Sequence, residues 1–152
     1  MKKMLLMLLT LGIGQLNAQN VKESEVPAAA KTKFQSLYPN AKNVQWEKEG
    51  ADYEAEFVEN KTETSVVITA TGTLVQTEVE ISQLMLPSGI NAYAQKNLPG
   101  KKITEAVKIT SANGVITYEA EIGGDDYIFD TEGNFIRKEI EEKEAGDEKD
   151  DD

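Results

Sequence analysis

Cysteine and histidine are both absent from the 152-residue sequence. Without Cys there are no disulfides, so any compact fold is held by its core alone. Without either residue, Ser-His-Asp and Cys-His mechanisms are excluded, and so are thiolate and imidazole zinc sites. No Gly-rich phosphate loop is present, and Gly123-Gly124 reads as a turn doublet. Basic residues are in the minority, with 16 Lys+Arg against 27 Asp+Glu and a net charge of −11. That balance argues against nucleic acid and anionic membranes as partners. The apolar run at Met4–Ile13 is too short for the roughly 20 residues that a membrane span requires.

The two ends differ from the middle. Lys2 and Lys3 precede the Met4–Ile13 run, and Leu16-Asn17-Ala18 ends on a small residue. This predicts an export signal over 1–18, cleaved between Ala18 and Gln19. The Cys that a lipoprotein anchor needs does not follow it. From Glu139 the chain reads EIEEKEAGDEKDDD, with nine acids and two lysines for a net charge of −7. Such a run repels itself and buries little, which predicts a disordered tail over 142–152.

Between the ends the sequence repeats itself. Val26-Pro27 returns as Leu86-Pro87, Pro39 as Pro99, YEAEF (53–57) as YEAEI (118–122), Gly72 as Gly133 and Glu78 as Glu139. Five anchors in the same order imply an internal duplication. In each unit a Pro opens a helix with an apolar stripe: Ala30, Phe34 and Leu37 in the first, Ile90, Ala94 and Leu98 in the second, with Tyr93 alongside. Gly89 and Asn91 weaken the second helix. A second Pro closes each one.

Strands are predicted at 43–47, 53–57, 65–69 and 74–81 in the first unit. In the second they are predicted at 106–110, 115–122, 127–130 and 135–140. A polar loop, Glu59–Thr64, separates two of the first four, and Asn113-Gly114 marks a hairpin turn. The expected fold is α+β: two tandem repeats, 19–81 and 82–141, each one helix followed by a four-stranded antiparallel meander. Tyr53, Ala55 and Phe57 then pack under the helix while Glu54 and Glu56 point to water.

This arrangement resembles the PepSY-like family, also described as β-lactamase-inhibitor-like. The residues that carry the resemblance are Pro27, Pro39, Trp46, Tyr53, Phe57 and Gly72, then Pro87, Pro99, Tyr118, Ile122, Asp130 and Gly133. The closing stretch YIFDTEGNF (127–135) matches best, and the likeness runs from Val26 to about Glu141. The resemblance implies a periplasmic or secreted protein of a Gram-negative bacterium, with no catalytic residues and no cofactor. It also implies a binding module that restrains a peptidase or another envelope enzyme. The β-lactamase inhibitors of this fold carry disulfides and an aromatic-rich binding sheet. This chain has no Cys, and its open sheet face reads as acidic.

The candidate partner-binding residues on that face are Glu47, Glu54, Glu56, Lys108, Glu119 and Glu121, with Gln45 and Thr110 beside them. The loops Glu59–Thr64 and Gly123–Asp126 extend the surface. The expected partner is an envelope or secreted protein, basic or itself an enzyme. Two other chemistries use the same residue types. The alternative function is an envelope Ca²⁺- or cation-binding acidic protein that uses its tail and the turn acids Asp125, Asp126, Asp130 and Glu132, although their spacing does not follow the Ca²⁺-loop pattern. Glu54 and Glu56, about 6–7 Å apart along a strand, match a carboxylate-pair hydrolase in spacing but lack an evident cleft.

Overall fold

The structure, a computed structural model, describes residues 19–139. The expected export signal (1–18) and acidic tail (142–152) lie outside the described residues.

Two ten-residue helices, α1 (Ala28–Leu37) and α2 (Ser88–Asn97), start at the paired prolines. Pro27 and Pro87 have helix-like φ (−54° and −52°) but extended ψ (139° and 137°), so each sits just outside the first turn. A short 3-10 turn leads into each helix, at Glu23–Glu25 and Gln83–Met85. Tyr38 and Leu98 cap the far ends, and the following prolines cannot continue a helix. α1 buries Ala30 and Phe34, and α2 buries Ile90 and Ala94. Leu37, expected in the first stripe, is the last residue of α1 and is 38% exposed. Leu98 packs against the second core from the cap position.

Nine strands follow in chain order: β1 (Gln19–Val21), β2 (Gln45–Glu49), β3 (Asp52–Glu59), β4 (Thr62–Thr69) and β5 (Leu74–Glu80), then β6 (Ile103–Ser111), β7 (Ile116–Ile122), β8 (Asp125–Phe129) and β9 (Phe135–Lys138). They form a single antiparallel sheet in the order β1 to β9. The sequence predicts neither β1 nor the continuity of the sheet. β1 adds an edge through Val21 opposite Trp46. The pairing of β5 with β6, Thr77 opposite Thr110 and Val79 opposite Lys108, joins the two repeats. Side chains alternate between faces along each strand. The register therefore carries one facing from α1 to α2, and both helices lie on the same side.

On that side Phe34 meets Trp46 and Phe57 edge-on, with ring centroids 5.4 and 5.2 Å apart. Under α2, Tyr93 stacks on Phe135 at 5.0 Å and meets Phe129 edge-on at 5.3 Å. Ala55 and Ala120, the central residues of the two YEAE copies, are fully buried and give the helices room to approach.

The expected loop Glu59–Thr64 is a tight turn instead, with Asn60-Lys61 (φ 51° and 69°) closing a two-residue hairpin. Gly123-Gly124 (φ 65° and 86°), the expected turn doublet, closes another. Gly72 and Gly133, the repeated turn glycines, have φ of 85° and 83° and press against the helix starts. A Cβ on Gly72 would lie 2.8 Å from the Ala29 carbonyl oxygen, and one on Gly133 would lie 2.8 Å from both Gly89 Cα and Ile90 N. A Cβ on Gly89 would in turn meet the Glu132 carbonyl at 2.6 Å. The residue that weakens α2 locally is thus the one that lets the β8–β9 turn dock on it.

Gly133→Ala pays both the left-handed backbone penalty of about 1–2 kcal/mol and a clash with α2. Gly114→Ala, at φ 85° with nothing within 4 Å, pays only the first. Urea unfolding at constant m should place Gly133→Ala at least about 1 kcal/mol below Gly114→Ala. Equal losses would mean that the turn does not press on the helix.

Candidate functional site

The face opposite the helices collects the carboxylates. On β2 and β3 it carries Gln45, Glu47 and Glu49 opposite Glu56, Glu54 and Asp52. One row then runs Glu56, Ser65, Glu78, Ile109, Thr117 across β3 to β7. The next runs Glu80, Val107, Glu119, Ile128, Arg137 across β5 to β9. Glu105, Glu121 and Asp126 form a third. Arg137 is the cation that the strands place on this face, and its guanidinium pairs with Glu139.

The two glutamates of each YEAE copy were expected to point to water together, and this is corrected. Glu54 is 1% exposed and Glu119 is 7% exposed, whereas Glu56 and Glu121 are half-buried. The first glutamate of each copy lies over the middle of the sheet, Glu54 opposite Val67 and Glu119 between Val107 and Ile128. The second lies nearer the rim. Lys108 is also corrected: it pairs with Val79 and Tyr118 and shares the helix side with Ala106, as does Thr110. Glu47, Glu56 and Glu121 are partly open on the expected face.

Sequence reasoning missed Glu49 and Glu78, which are 5% and 1% exposed. Ser65 Oγ donates to Glu78 Oε2 at 3.1 Å, and Gln76 Nε2 donates to its Oε1 at 2.5 Å. A signal for this burial exists. Ser65-Val-Val-Ile68 and Tyr127-Ile-Phe129 are nearly unbroken apolar runs, as expected of strands buried on both faces.

Burial disfavours a charged carboxylate. It pushes Glu119 up to about 9, with Asp126 and Glu78 adding repulsion. It pushes Glu78 up to about 8 against the pull of the Ser65 and Gln76 hydrogen bonds. Glu49 rises to about 7, again chiefly through burial, and Glu54 is raised well above the ordinary carboxylate range by burial and then by Glu78. Glu49 Oε2 and Glu54 Oε1 are buried without a hydrogen-bond partner.

The acids of the Ca²⁺ alternative are not brought together. Asp125, on the helix side, pairs with Lys101 at 3.3 Å and Lys138 at 3.0 Å, while Asp126 faces the other way. Asp130 folds its own turn: its Oδ1 accepts from the Glu132 and Asn134 backbone N–H groups, and its Oδ2 accepts from Asn134 Nδ2. Among the described residues, Glu47, Glu54 and Glu56 bring carboxylate oxygens within 4.8 Å of one another. A cavity of about 380 Å³ lies elsewhere, between α2 and the start of β6, lined by Gln83, Asn91, Gln95, Lys101 and Lys102. It contains no carboxylate, so the buried acids and the cavity do not combine into a cleft for a carboxylate-pair hydrolase.

A carboxyl group whose folded pKa lies above its unfolded 4.5 binds more protons in the native state. Its contribution is complete below about pH 4.5 and is lost as pH rises towards 8–9, with a limiting slope of about 1.4 kcal/mol per pH unit and group. Asp125 and Asp130 are shifted the other way and withdraw support in acid below about pH 4. Thermal unfolding should therefore be latest near pH 4–5 and earlier at each step to pH 9, with Glu119→Gln flattening the decline. A Tm that is constant or rises from pH 5 to 9 would overturn the buried-acid account.

The family model described as "Putative beta-lactamase-inhibitor-like, PepSY-like" matches the chain twice, over residues 15–76 and 72–137. Among curated proteins none matches. A "putative periplasmic" protein from Bacteroides eggerthii is similar at TM-score 0.67 and 19% identity, over 75% of this chain and 88% of that one. A DUF2874 family protein from Bacteroides uniformis reaches 0.66 at 21% identity, over 74% and 88%. A BLIP-like protein from Bacteroides fragilis reaches 0.58 at 21% identity, over 74% and 85%. At these identities the structures share the fold with this chain. Among the described residues no helix is long and apolar enough to cross a membrane. The two tandem matches together span most of the sequence, and the chain belongs to the PepSY-like, β-lactamase-inhibitor-like family.

Proposed function

We propose that the chain is an exported, non-enzymatic binding protein that takes a basic protein partner on the face of the sheet opposite the helices. The observation that carries this reading is the charge of that face. Its rim presents Glu47, Glu56, Glu80, Glu105 and Glu121, and Arg137 on the same face already pairs with Glu139. Such a surface draws in lysine- and arginine-rich partners and speeds their encounter. Restraint of an envelope enzyme, a peptidase or another, is the form of binding in line with a family described as β-lactamase-inhibitor-like.

The periplasm is the compartment that fits the Lys2–Ala18 segment and the "putative periplasmic" neighbour. The lack of His and Cys removes the commonest nucleophile and base pairs, in keeping with binding rather than catalysis.

Glu54 and Glu119 cannot be used to test the surface, because a charge reversal at a buried position unfolds the chain. Glu47→Lys, Glu56→Lys and Glu121→Lys together reverse the rim. With the protein as bait in envelope and secreted fractions of its source organism, a stoichiometric basic partner should be captured at physiological salt. The triple variant should lose it at least about tenfold. Capture that persists with the folded variant, or the absence of any saturable partner, would overturn the reading.

A further inference from the structure

We infer that Glu47, Glu54 and Glu56 form a binding site for one divalent cation of calcium type at the β2–β3 end of the acidic face. The register builds the group: Glu47 stands opposite Glu54, and Glu56 is the next residue of β3 on the same face. One carboxylate oxygen from each lies within 4.8 Å of the others. Two oxygens on opposite sides of an ion at the 2.3–2.6 Å typical of Ca²⁺ stand about 4.6–5.2 Å apart. A single ion between the three lies within about 2.8 Å of each, a few tenths of an ångström of side-chain adjustment from the Ca²⁺ range, and water completes the 6–8 ligands that this hard cation takes.

Closely spaced acids alone do not make a site, since solvated clusters are common. Two further observations separate this group from a solvated cluster. Glu54 is 1% exposed, and its Oε1 is buried without a hydrogen-bond partner. Glu49, next along β2 on the same face, is 5% exposed; it shares a hydrogen bond with Glu54 and has a buried Oε2 without a partner. Buried oxygens are normally satisfied, and an unsatisfied one calls for a missing group. An unpartnered oxygen on a buried carboxylate that two other carboxylates crowd is satisfied by a cation. Glu54 supplies the buried end of the site, and Glu47 and Glu56 supply its half-open mouth. The inference does not depend on a protein partner and is read on the isolated protein.

Trp46, the single tryptophan, precedes Glu47 in β2 and provides a local antenna. Calorimetry with CaCl₂ should give saturable uptake of one ion with a Kd on the order of 10⁻⁴–10⁻³ M or tighter. Tb³⁺ excited through Trp46 should luminesce and be displaced by Ca²⁺. Glu54→Gln should weaken uptake about tenfold or more, abolish the Ca²⁺-dependent rise in Tm, and raise the Tm of the metal-free protein by removing a buried acid. If Glu54→Gln fails to fold, Glu47→Gln and Glu56→Gln at the mouth should each weaken uptake instead. Deleting 142–152 should leave the site intact. Uptake that is lost with that deletion, or that is unchanged in folded Glu54→Gln, would overturn the assignment.

Discussion

The pairing of β5 with β6 is the constraint on which the rest of the structure depends. Each repeat alone is a helix on a few antiparallel strands. Thr77 opposite Thr110 and Val79 opposite Lys108 fuse the strands into one sheet and hand the facing of the first repeat to the second. A slip of one residue there would send α2 to the other side, because side chains alternate with a period of two. With the register as it is, both helices cover one face with two aromatic cores, and the glutamates of both YEAE copies fall on the other face.

That concentration has an electrostatic consequence. Charges taken from water must be paired, hydrogen-bonded or neutralised. Glu78 is hydrogen-bonded by Ser65 and Gln76 and is still pushed up to about 8 by its burial. Glu119 has Val107 and Ile128 as its cross-strand neighbours and lies higher, at about 9. Glu54, as buried as Glu78, sits among other acids. A carboxyl in such a position is neutralised by a proton or by a metal ion, and the two compete for it. The face thus divides into a buried interior that holds its acids neutral and a half-open rim of Glu47, Glu56 and Glu121 that can meet a charged partner.

The repeated glycines show the same link between local and distant structure. Gly72 and Gly133 lie far in sequence from the helices that they touch, and Gly89 looks out of place in a helix until the β8–β9 turn is set against it. Local propensity marks Gly89 as a weakness, and the close approach of two backbones explains it.

The sequence by itself determined the duplication, the two proline-bounded helices, the helix-facing set Tyr53, Ala55 and Phe57, and the absence of His and Cys chemistry. These follow from periodicities of two and 3.6 and from backbone rules that act over a few residues. It did not determine the fusion of the strands into one sheet, the edge strand β1, the side taken by Lys108, or the burial of Glu54, Glu78 and Glu119. Alternation tells which side chains share a face, but whether that face meets water depends on strands distant in sequence. The apolar runs at Ser65–Ile68 and Tyr127–Phe129 hinted at a second buried face, and only the tertiary structure showed which glutamates lie beneath it.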